Sequence, residues 1–425
     1  MMPKVLYNIL WTKFITYGGI FYMNILVVNA GSSSLKYQLI DSVTQEVGAK
    51  GLCERIGMDG SRIEHKQLIK GVKATLESPM KDHADAMKLV VKYLTDAEYG
   101  CVADMSEIQA IGHRVVHGGS YFSKSILMNE DVLAKLELCK EFAPLHTVAH
   151  LMGIKGCLET MPNTPQVLVF DTAFHQTMEP EAYMYALPYE YYEKYGLRRY
   201  GFHGSSHKYV SAEMIKLLGK DAKDTKIVTC HIGNGSSVSA VKGGKVMDTT
   251  MGFTPLAGVE MGTRCGDIDP AIVPFLMEKE GLSSAQVNDV MNKKSGFLGI
   301  TGISSDSRDV ENAYKQGNEK AKLALDILKH QLKKYIGGYA AAMNGLDAVV
   351  FTAGIGENSS LLREFVCSDM EYVGIELDRE ANNNAFRLSG PMMISTETSK
   401  VKVYVIPTNE ELVIAQDTAA IVEAL

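Results

Sequence analysis

ILVVNAGSSSLKYQLID, residues Ile25–Asp41, decides the fold: a β-branched run, a break of small polar residues at Asn29-Ala30-Gly31-Ser32-Ser33, then a second extended run. KIVTCHIGNGSSVSAV, Lys226–Val241, repeats the arrangement about half a chain later, with Asn234-Gly235-Ser236-Ser237 at the break. A third stretch, LDAVVFTAGIGENSS, Leu346–Ser360, begins the same way but leads into a helix. Small residues let backbone N–H groups approach an anion, Gly supplies positive φ without a Cβ penalty, and Ser and Asn add donors. One such loop is equally the turn of any β-hairpin. Two copies and a third Gly-rich loop point instead to three phosphate- or nucleotide-contacting loops. The repeated strand–turn–strand implies two related half-molecules facing one ligand.

Two commoner nucleotide motifs are absent. Lys36 follows Ser32–Ser34 without the second Gly of a G-x-x-x-x-G-K-S/T loop, and no G-x-G-x-x-G opens a helix after a strand. With 425 residues, the chain suits two domains better than one core. It is 46% hydrophobic and 22% charged, with a mean hydropathy of −0.03, the profile of a soluble protein. Fifty acidic against 43 basic residues give a net charge of −7, and no basic block could track nucleic acid or an anionic membrane. The seven cysteines (Cys53, Cys101, Cys139, Cys157, Cys230, Cys265, Cys367) are scattered and never spaced C-x-x-C, so neither a disulfide framework nor a zinc site is indicated. A reducing, cytoplasmic setting is expected.

Residues 1–22, MMPKVLYNILWTKFITYGGIFY, are apolar enough to suggest a signal peptide, but Lys13 interrupts the run and no small-residue cleavage site follows. The segment is too short and too charged to span a membrane. It reads as an extension translated from an upstream start codon, because Met23 directly precedes the first strand.

Hydrophobic periodicity predicts strands near 24–30, 34–41, 108–117, 165–171, 226–232, 235–242, 346–352 and 401–406. Helices are expected near 83–96, 130–142, 147–160, 205–219, 270–280, 283–293, 317–343 and 409–424. The class is therefore α/β. The domain crossing falls near 172, giving residues 23–172 and 173–408, with the C-terminal helix 409–425 returning to the first domain. Thr408-Asn409-Glu410-Glu411 matches a capping box, with Thr408 as N-cap and Glu411 at N3, which leaves Glu410 for another task.

GHRVVHGG (Gly112–Gly119) and MGTRCGDIDP (Met261–Pro270) each set an Arg, Arg114 and Arg264, in a Gly-flanked segment. Arg holds carboxylate or phosphate at two points at once, and two such residues beside phosphate loops suggest an anion clamp. The His pairs 113/117, 146/150 and 203/207 have i,i+4 spacing but lack the glutamate of H-E-x-x-H, so metal ligation is disfavoured. His203 differs, because RRYGFHGSSH puts it in a Gly-rich turn before a helix. Asp171 ends the apolar strand VLVFD, where α/β proteins keep functional groups, although capping the next turn would also explain it.

VVNAGSSSLKYQLID, GHRVVHGG, APLH, VFDTAFH, RRYGFHGSSH, CHIGNGSSV, MGTRCGDIDP, AGIGEN and PTNEEL, in this order from Met23 to the C-terminus, closely resemble the acetate kinase family. The resemblance implies two related actin-like (ribonuclease H-like) α/β domains flanking a nucleotide cleft, in a homodimer of the acetate and sugar kinase, Hsp70 and actin superfamily. It implies reversible transfer of the ATP γ-phosphoryl group to acetate, giving acetyl phosphate and ADP, with Mg²⁺ or Mn²⁺ in its place. By similarity, Arg264 and His203 contact the phosphoryl oxygens, Asp171 is the active-site acid, and Arg114 holds the carboxylate. Val116, Leu145, Phe202 and Pro255 surround the methyl group, and Asn29 and Glu410 hold the metal. Lys36 reaches the nucleotide phosphates. The remaining nucleotide contacts are implied for His231, Ile232, Gly233, Asn234 and Gly235, for Asp306, Ser307 and Arg308, and for Gly354, Ile355, Gly356, Glu357 and Asn358. Two departures stand out: Thr147-Val148 replace the family's usual Asn-Pro after APLH, and Cys265 stands where Ser is usual. The rival activities are propionate or butyrate kinase and, from another class, a non-enzymatic ATP-switched protein of the Hsp70 or actin type. The latter shares the hairpins but lacks the Arg/His clamp.

Overall fold

The structure is a computed structural model that describes residues 16–17 and 20–425, so most of the expected extension 1–22 lies outside the described residues. Thr16–Tyr17 pairs antiparallel with Ile20–Phe21. The rest divides into two compact units, the first holding the chain up to Val115 with Ser125–Val169 and Glu411–Leu425, the second holding Val116–Lys124 and Phe170–Glu410. Among the described residues no helix is long and apolar enough to cross a membrane.

In the first unit, β1 (Asn24–Gly31) turns through Ser32-Ser33 into β2 (Ser34–Asp41), with Asn29 opposite Lys36. Strands β3 (Val47–Glu54), β4 (Arg62–Gln67) and β5 (Val72–Glu77) continue the meander. On the other side come β6 (Ala110–Val115), β7 (Ile126–Leu127) and β8 (Gln166–Phe170), giving the order β5-β4-β3-β2-β1-β6-β8-β7. Leu26, Val28, Leu35, Tyr37 and Leu39 bury against Ala86, Met87, Val90 and Leu94 of α1 (His83–Leu94). Helix α2 (Pro144–Thr160) comes so close to β1 that a Cβ on Gly153 would lie 2.6 Å from the Ala30 methyl. Only Gly fits there.

The second unit's sheet runs β11-β10-β9-β12-β14-β13, from β9 (Lys226–Ile232), β10 (Ser236–Lys242), β11 (Lys245–Thr249), β12 (Ala348–Thr352), β13 (Met392–Met393) and β14 (Lys402–Val405). It repeats six strands of the first sheet. In each, two antiparallel strands, β3 and β2 or β11 and β10, lead to an inner strand, β1 or β9, that pairs in parallel with β6 or β12, and a short antiparallel strand closes the far edge. This is the structural form of the hairpin repeat read from the sequence. Both faces are buried, as a sheet with helical cover requires. Val228, Cys230 and Ile232 meet Leu325, Leu328, Leu332 and Ile336 of one helix (Glu319–Ala342). Ile227 and Val241 face Val210 and Met214 of α3 (Gly204–Leu218).

Two expectations need correction. The sequence reading placed all of 23–172 in the first domain, yet Val116–Lys124 belongs to the second unit. Its contacts explain why: Gly118 N donates to Thr172 Oγ1 at 3.1 Å, Phe122 stacks on Phe170, and the His117 ring sits edge-on to Tyr200 and Phe202. The capping box at Thr408 does not form either. The final helix, α4 (Glu410–Glu423), starts after Asn409, and the Thr408 hydroxyl donates instead to Ser206 Oγ at 2.8 Å.

Candidate active site

The β9–β10 turn organises the second unit's site. A Cβ on Gly235 would lie 3.2 Å from Arg264 Nη1 and 3.6 Å from His203 Nε2, so the guanidinium and the imidazole converge on the tip of the second small-residue loop. Asn234, beside it, accepts from Gly262 N at 3.1 Å through its carbonyl, and its side chain leaves no room for a Cβ on Gly262. The same Gly262 approaches the Ser305 carbonyl, just before Asp306, Ser307 and Arg308. A Cβ on Gly233 would lie 3.8 Å from the Ala353 Cβ and 4.0 Å from Gly354 N. Three loops expected to contact nucleotide and the loop carrying Arg264 thus meet in one place.

Each loop has a local reason for its shape. Ala353 takes φ 65°, in the left-handed region, as β12 breaks into the short helix Ala353–Asn358. Glu357 holds that turn by accepting from Ala353 N at 2.8 Å and Thr408 N at 3.0 Å. Gly354 has open space around it, Arg363 donates to the Gly356 carbonyl, and Asn358 Nδ2 donates back to the Gly354 carbonyl. Asp306 caps the helix Ser307–Lys315 and pairs with the Arg308 guanidinium, which draws its carboxyl down to about 2. Ile232 and His231 are buried.

His203 precedes α3 at φ 59°, an uncommon backbone state for a non-Gly residue. The next residue shows why the chain must turn there: Gly204 N donates to the Asp171 carbonyl at 2.9 Å, and a Cβ on Gly204 would fall 2.2 Å from that oxygen. Asp171, buried at the end of β8, is thereby tied to the His203 turn. The His203 ring stacks on His231 with centroids 4.0 Å apart. Its Nδ1 meets Ser237 Oγ at 2.9 Å, Ser237 Oγ meets His207 Nε2 at 2.7 Å, and His207 Nδ1 meets Thr229 Oγ1 at 2.7 Å. Thr229 donates onward to the Ser239 carbonyl, so it accepts from His207 Nδ1–H. Burial and the neighbouring His175 and His231 hold His207 well below the usual imidazole range, so it stays neutral and its Nε2 accepts from the Ser237 hydroxyl. Ser237 Oγ is then left to accept from His203 Nδ1–H. That fixes the His203 tautomer and turns Nε2 toward Gly235 and Arg264.

Arg264 is half-buried, which lowers its pKa, and it donates to the Pro255 carbonyl at 3.2 Å and to Met261 Sδ at 3.5 Å. Val116 and Phe202 pack with Met251 and Met261 in a small apolar cluster. The structure thus brings Val116, Phe202, Pro255, His203 and Arg264 into one neighbourhood of the second unit. Leu145 lies in the first turn of α2, and its side chain lies outside the described residues.

The first unit carries the remaining candidates. Asn29 and Lys36, facing each other across the first hairpin, line a pocket of about 270 Å³ with Lys50, Glu64, Lys66 and Glu411. Arg114 is half-buried on β6, and burial, helped by the Arg114 charge, pushes His150 down to about 3. Glu410 opens α4 as the last residue of the second unit.

Residues 24–416 match the acetokinase family. The chain belongs to that family. It is 56% identical to the acetate kinase of Halothermothrix orenii, covering 95% of this chain and all of that protein. It is 57% identical to the acetate kinase of Methanosarcina thermophila, covering 94% and 97%. Among solved structures, Porphyromonas gingivalis acetate kinase superposes with TM-score 0.90 at 48% identity, covering 94% of this chain and 99% of that one. A propionate kinase from Francisella tularensis superposes with TM-score 0.85 at 42% identity, covering 94% and 99%. The acetokinase fold, two actin-like α/β domains built on one repeated topology, is the one described above.

Sequence reasoning missed several polar groups of this acetokinase site. Ser237, His207, Thr229, Ser206 and Thr408 hold the histidines, but each is an ordinary Ser, Thr or His until the strands are paired. Ser237 had a signal, since it lies two residues beyond Gly235 on the inward side of β10. Glu411 was set aside for a capping box that does not form, and it lines the Asn29–Lys36 pocket instead.

Proposed function

We propose that the protein is an acetate kinase that transfers the γ-phosphoryl group of ATP to acetate, reversibly, to give acetyl phosphate and ADP. The observation that carries this reading is the convergence of Arg264 and His203 on Gly235, at the tip of the second small-residue loop and near the apolar cluster of Val116, Phe202, Met251 and Met261. Acetate is ionised at neutral pH, so the nucleophile needs no general base. The task is to hold two anions together and spread the charge of the transferring group, which is positioning and electrostatics. Arg264 and His203 face the equatorial phosphoryl oxygens, and His203, with Nδ1–H engaged by Ser237, donates from Nε2 as the imidazolium. Arg114 holds the acetate carboxylate. Asp171 keeps the His203 turn in place and orients the cationic groups. Val116, Phe202 and Pro255 enclose the methyl group.

Asn29 and Glu411 put oxygen donors in one pocket with Lys36, a set suited to Mg²⁺ shared with nucleotide phosphates, and Glu410 adjoins it in sequence. Asn29 and Glu410 would hold Mg²⁺, or Mn²⁺, with Glu411 as a further carboxylate. When bound, the ion supplies neutralisation of the β- and γ-phosphate oxygens. We place the protein in the cytoplasm and take a homodimer as its working unit.

The test is trapping of acyl phosphate with hydroxylamine, using ATP, Mg²⁺ and a panel of short carboxylic acids. Acetate should give the highest kcat/KM. No hydroxamate from any acid would exclude the assignment. The Francisella tularensis propionate kinase favours a second reading, in which propionate is the better acceptor, and the same panel decides between them.

A further inference from the structure

On the back of the loop that carries Arg264 lies a second cavity, of about 400 Å³, lined among others by Glu260, Cys265, Asp267, Lys294, Ser295 and Gln331. All of it lies within the second unit. Glu260 is 2% exposed, and neither carboxyl oxygen has a hydrogen-bond partner. None of the neighbours that could supply one bonds to it, the Gln331 Nε2 amide included. Gln331 Oε1 accepts from Glu260 N at 2.6 Å, and the Ser295 hydroxyl donates to the Val290 carbonyl at 2.7 Å. Asp267, a second acid, accepts from Gly258 N and from the Tyr335 hydroxyl. Lys294, the one basic residue of the lining, stands exposed and makes no bond to Glu260.

A buried carboxyl with no donor is costly. The cost shows in Glu260, whose carboxyl burial pushes up to about 8. One water occupies about 30 Å³, so the space far exceeds what a single solvent molecule would fill. Two acids in the lining, Glu260 and Asp267, disfavour an anion, and among the described residues no trio of His, Cys, Asp or Glu is gathered as a divalent or transition-metal ion requires. We propose that this cavity binds a compact, singly charged cation, a primary ammonium group or an alkali-metal ion, against the Glu260 carboxylate. Its position gives occupancy a route to the catalytic loop. Glu260 adjoins Met261, whose sulfur meets the Arg264 guanidinium at 3.5 Å and whose N–H donates to the Arg264 carbonyl at 3.1 Å, while Ser295 N donates to the Thr263 carbonyl at 3.0 Å. The inference does not rest on the phosphoryl-transfer reading.

The test uses the full-length protein at pH 8.5, above the Glu260 value, with methylammonium, potassium, sodium and tetramethylammonium chlorides at equal ionic strength. Tm should rise by about 2 °C or more with a compact cation over tetramethylammonium. Response to methylammonium alone assigns an organic ammonium, and response to potassium or sodium an alkali ion. Glu260→Gln should lose the difference. As a readout that needs no variant, the same cation should slow iodoacetamide labelling of Cys265 in the wild type, followed by peptide mass spectrometry, by about threefold or more. A response equal for all four salts, a Glu260→Gln protein that responds like the wild type, or unchanged Cys265 labelling would overturn the proposal. So would a Lys294→Ala variant that gains a cation response the wild type lacks, because the lysine would then be the cavity's own cation.

Discussion

Replacing Gly235 by Ala separates the clamp from the fold. The new methyl would stand 3.2 Å from Arg264 Nη1 and 3.6 Å from His203 Nε2. Gly235 has no left-handed φ, so Ala meets no backbone strain there. By shrinking the unfolded ensemble, Gly→Ala at such a site stabilises by roughly 0.4–1 kcal/mol, against which stands the small cost of moving one guanidinium. Tm should therefore change by no more than about 2 °C. Activity should not be spared. Arg264 must shift by some tenths of an ångström, and the methyl occupies the space the phosphoryl oxygens need. A displacement approaching 1 Å costs on the order of 10²-fold in rate, and losing such a donor outright costs roughly 10²–10³-fold. We expect kcat for hydroxamate formation to fall about 10²-fold. Gly338→Ala is the matched control, since nothing lies within 4 Å of a Cβ built there, near the end of the helix Glu319–Ala342, and it should keep full activity. A Gly235→Ala enzyme within about threefold of wild-type kcat would refute the convergence of Arg264 and His203 on this loop. A Tm loss above about 5 °C would show that the glycine serves packing instead.

Ser237→Ala should cut kcat by about tenfold and move the alkaline limb of the pH–rate profile, because the His203 imidazolium loses the acceptor of its Nδ1–H; an unmoved profile removes the relay from the mechanism. Glu410→Gln and Glu411→Gln should both raise the Mg²⁺ concentration for half-maximal rate, since Glu411 lines the Asn29–Lys36 pocket rather than closing a cap, and a wild-type requirement in Glu411→Gln would return it to a purely structural role. Val116→Ala should narrow the acetate-to-propionate ratio of kcat/KM by roughly fivefold, as the added methylene gains up to about 0.8 kcal/mol of burial in place of overpacking, and an unchanged ratio would take Val116 out of the acyl pocket. Acid should unfold the protein through its buried histidines. His113 and His117 are lowered to about 4, His150 and His175 to about 3, and His207 well below its usual value, all chiefly by burial. The unfolded chain binds protons first, near pH 6.5, so stability present above that pH is lost as pH falls toward 4, by about 2 kcal/mol per histidine at pH 5. A Tm that holds constant from pH 7 to pH 5 would contradict this.

The α/β class, the two hairpins and the loops that meet at Gly235 were legible in the sequence, because β-branched runs broken by Gly, Ser and Asn carry their own periodicity and turn chemistry. Strands β3, β4 and β5 were not. In β4 the core-facing positions are Ile63, His65 and Gln67, and His65 is buried by bonding to the Tyr37 hydroxyl at 2.6 Å and the Tyr99 carbonyl at 3.0 Å, so two polar core residues hid the period of two. Local sequence also misplaced the start of the last helix. Thr408 reads as a cap until Ser206, 202 residues away, claims its hydroxyl. The passage of Val116–Lys124 into the second unit depends on Phe170, Thr172, Tyr200 and Phe202, none of which is near it in the chain. Residue type and spacing thus determined which groups carry charge, turn or phosphate affinity. Only tertiary structure decided which of them share a site, because hydrogen bonds and burial between distant segments are set by strand pairing and not by any short stretch of sequence.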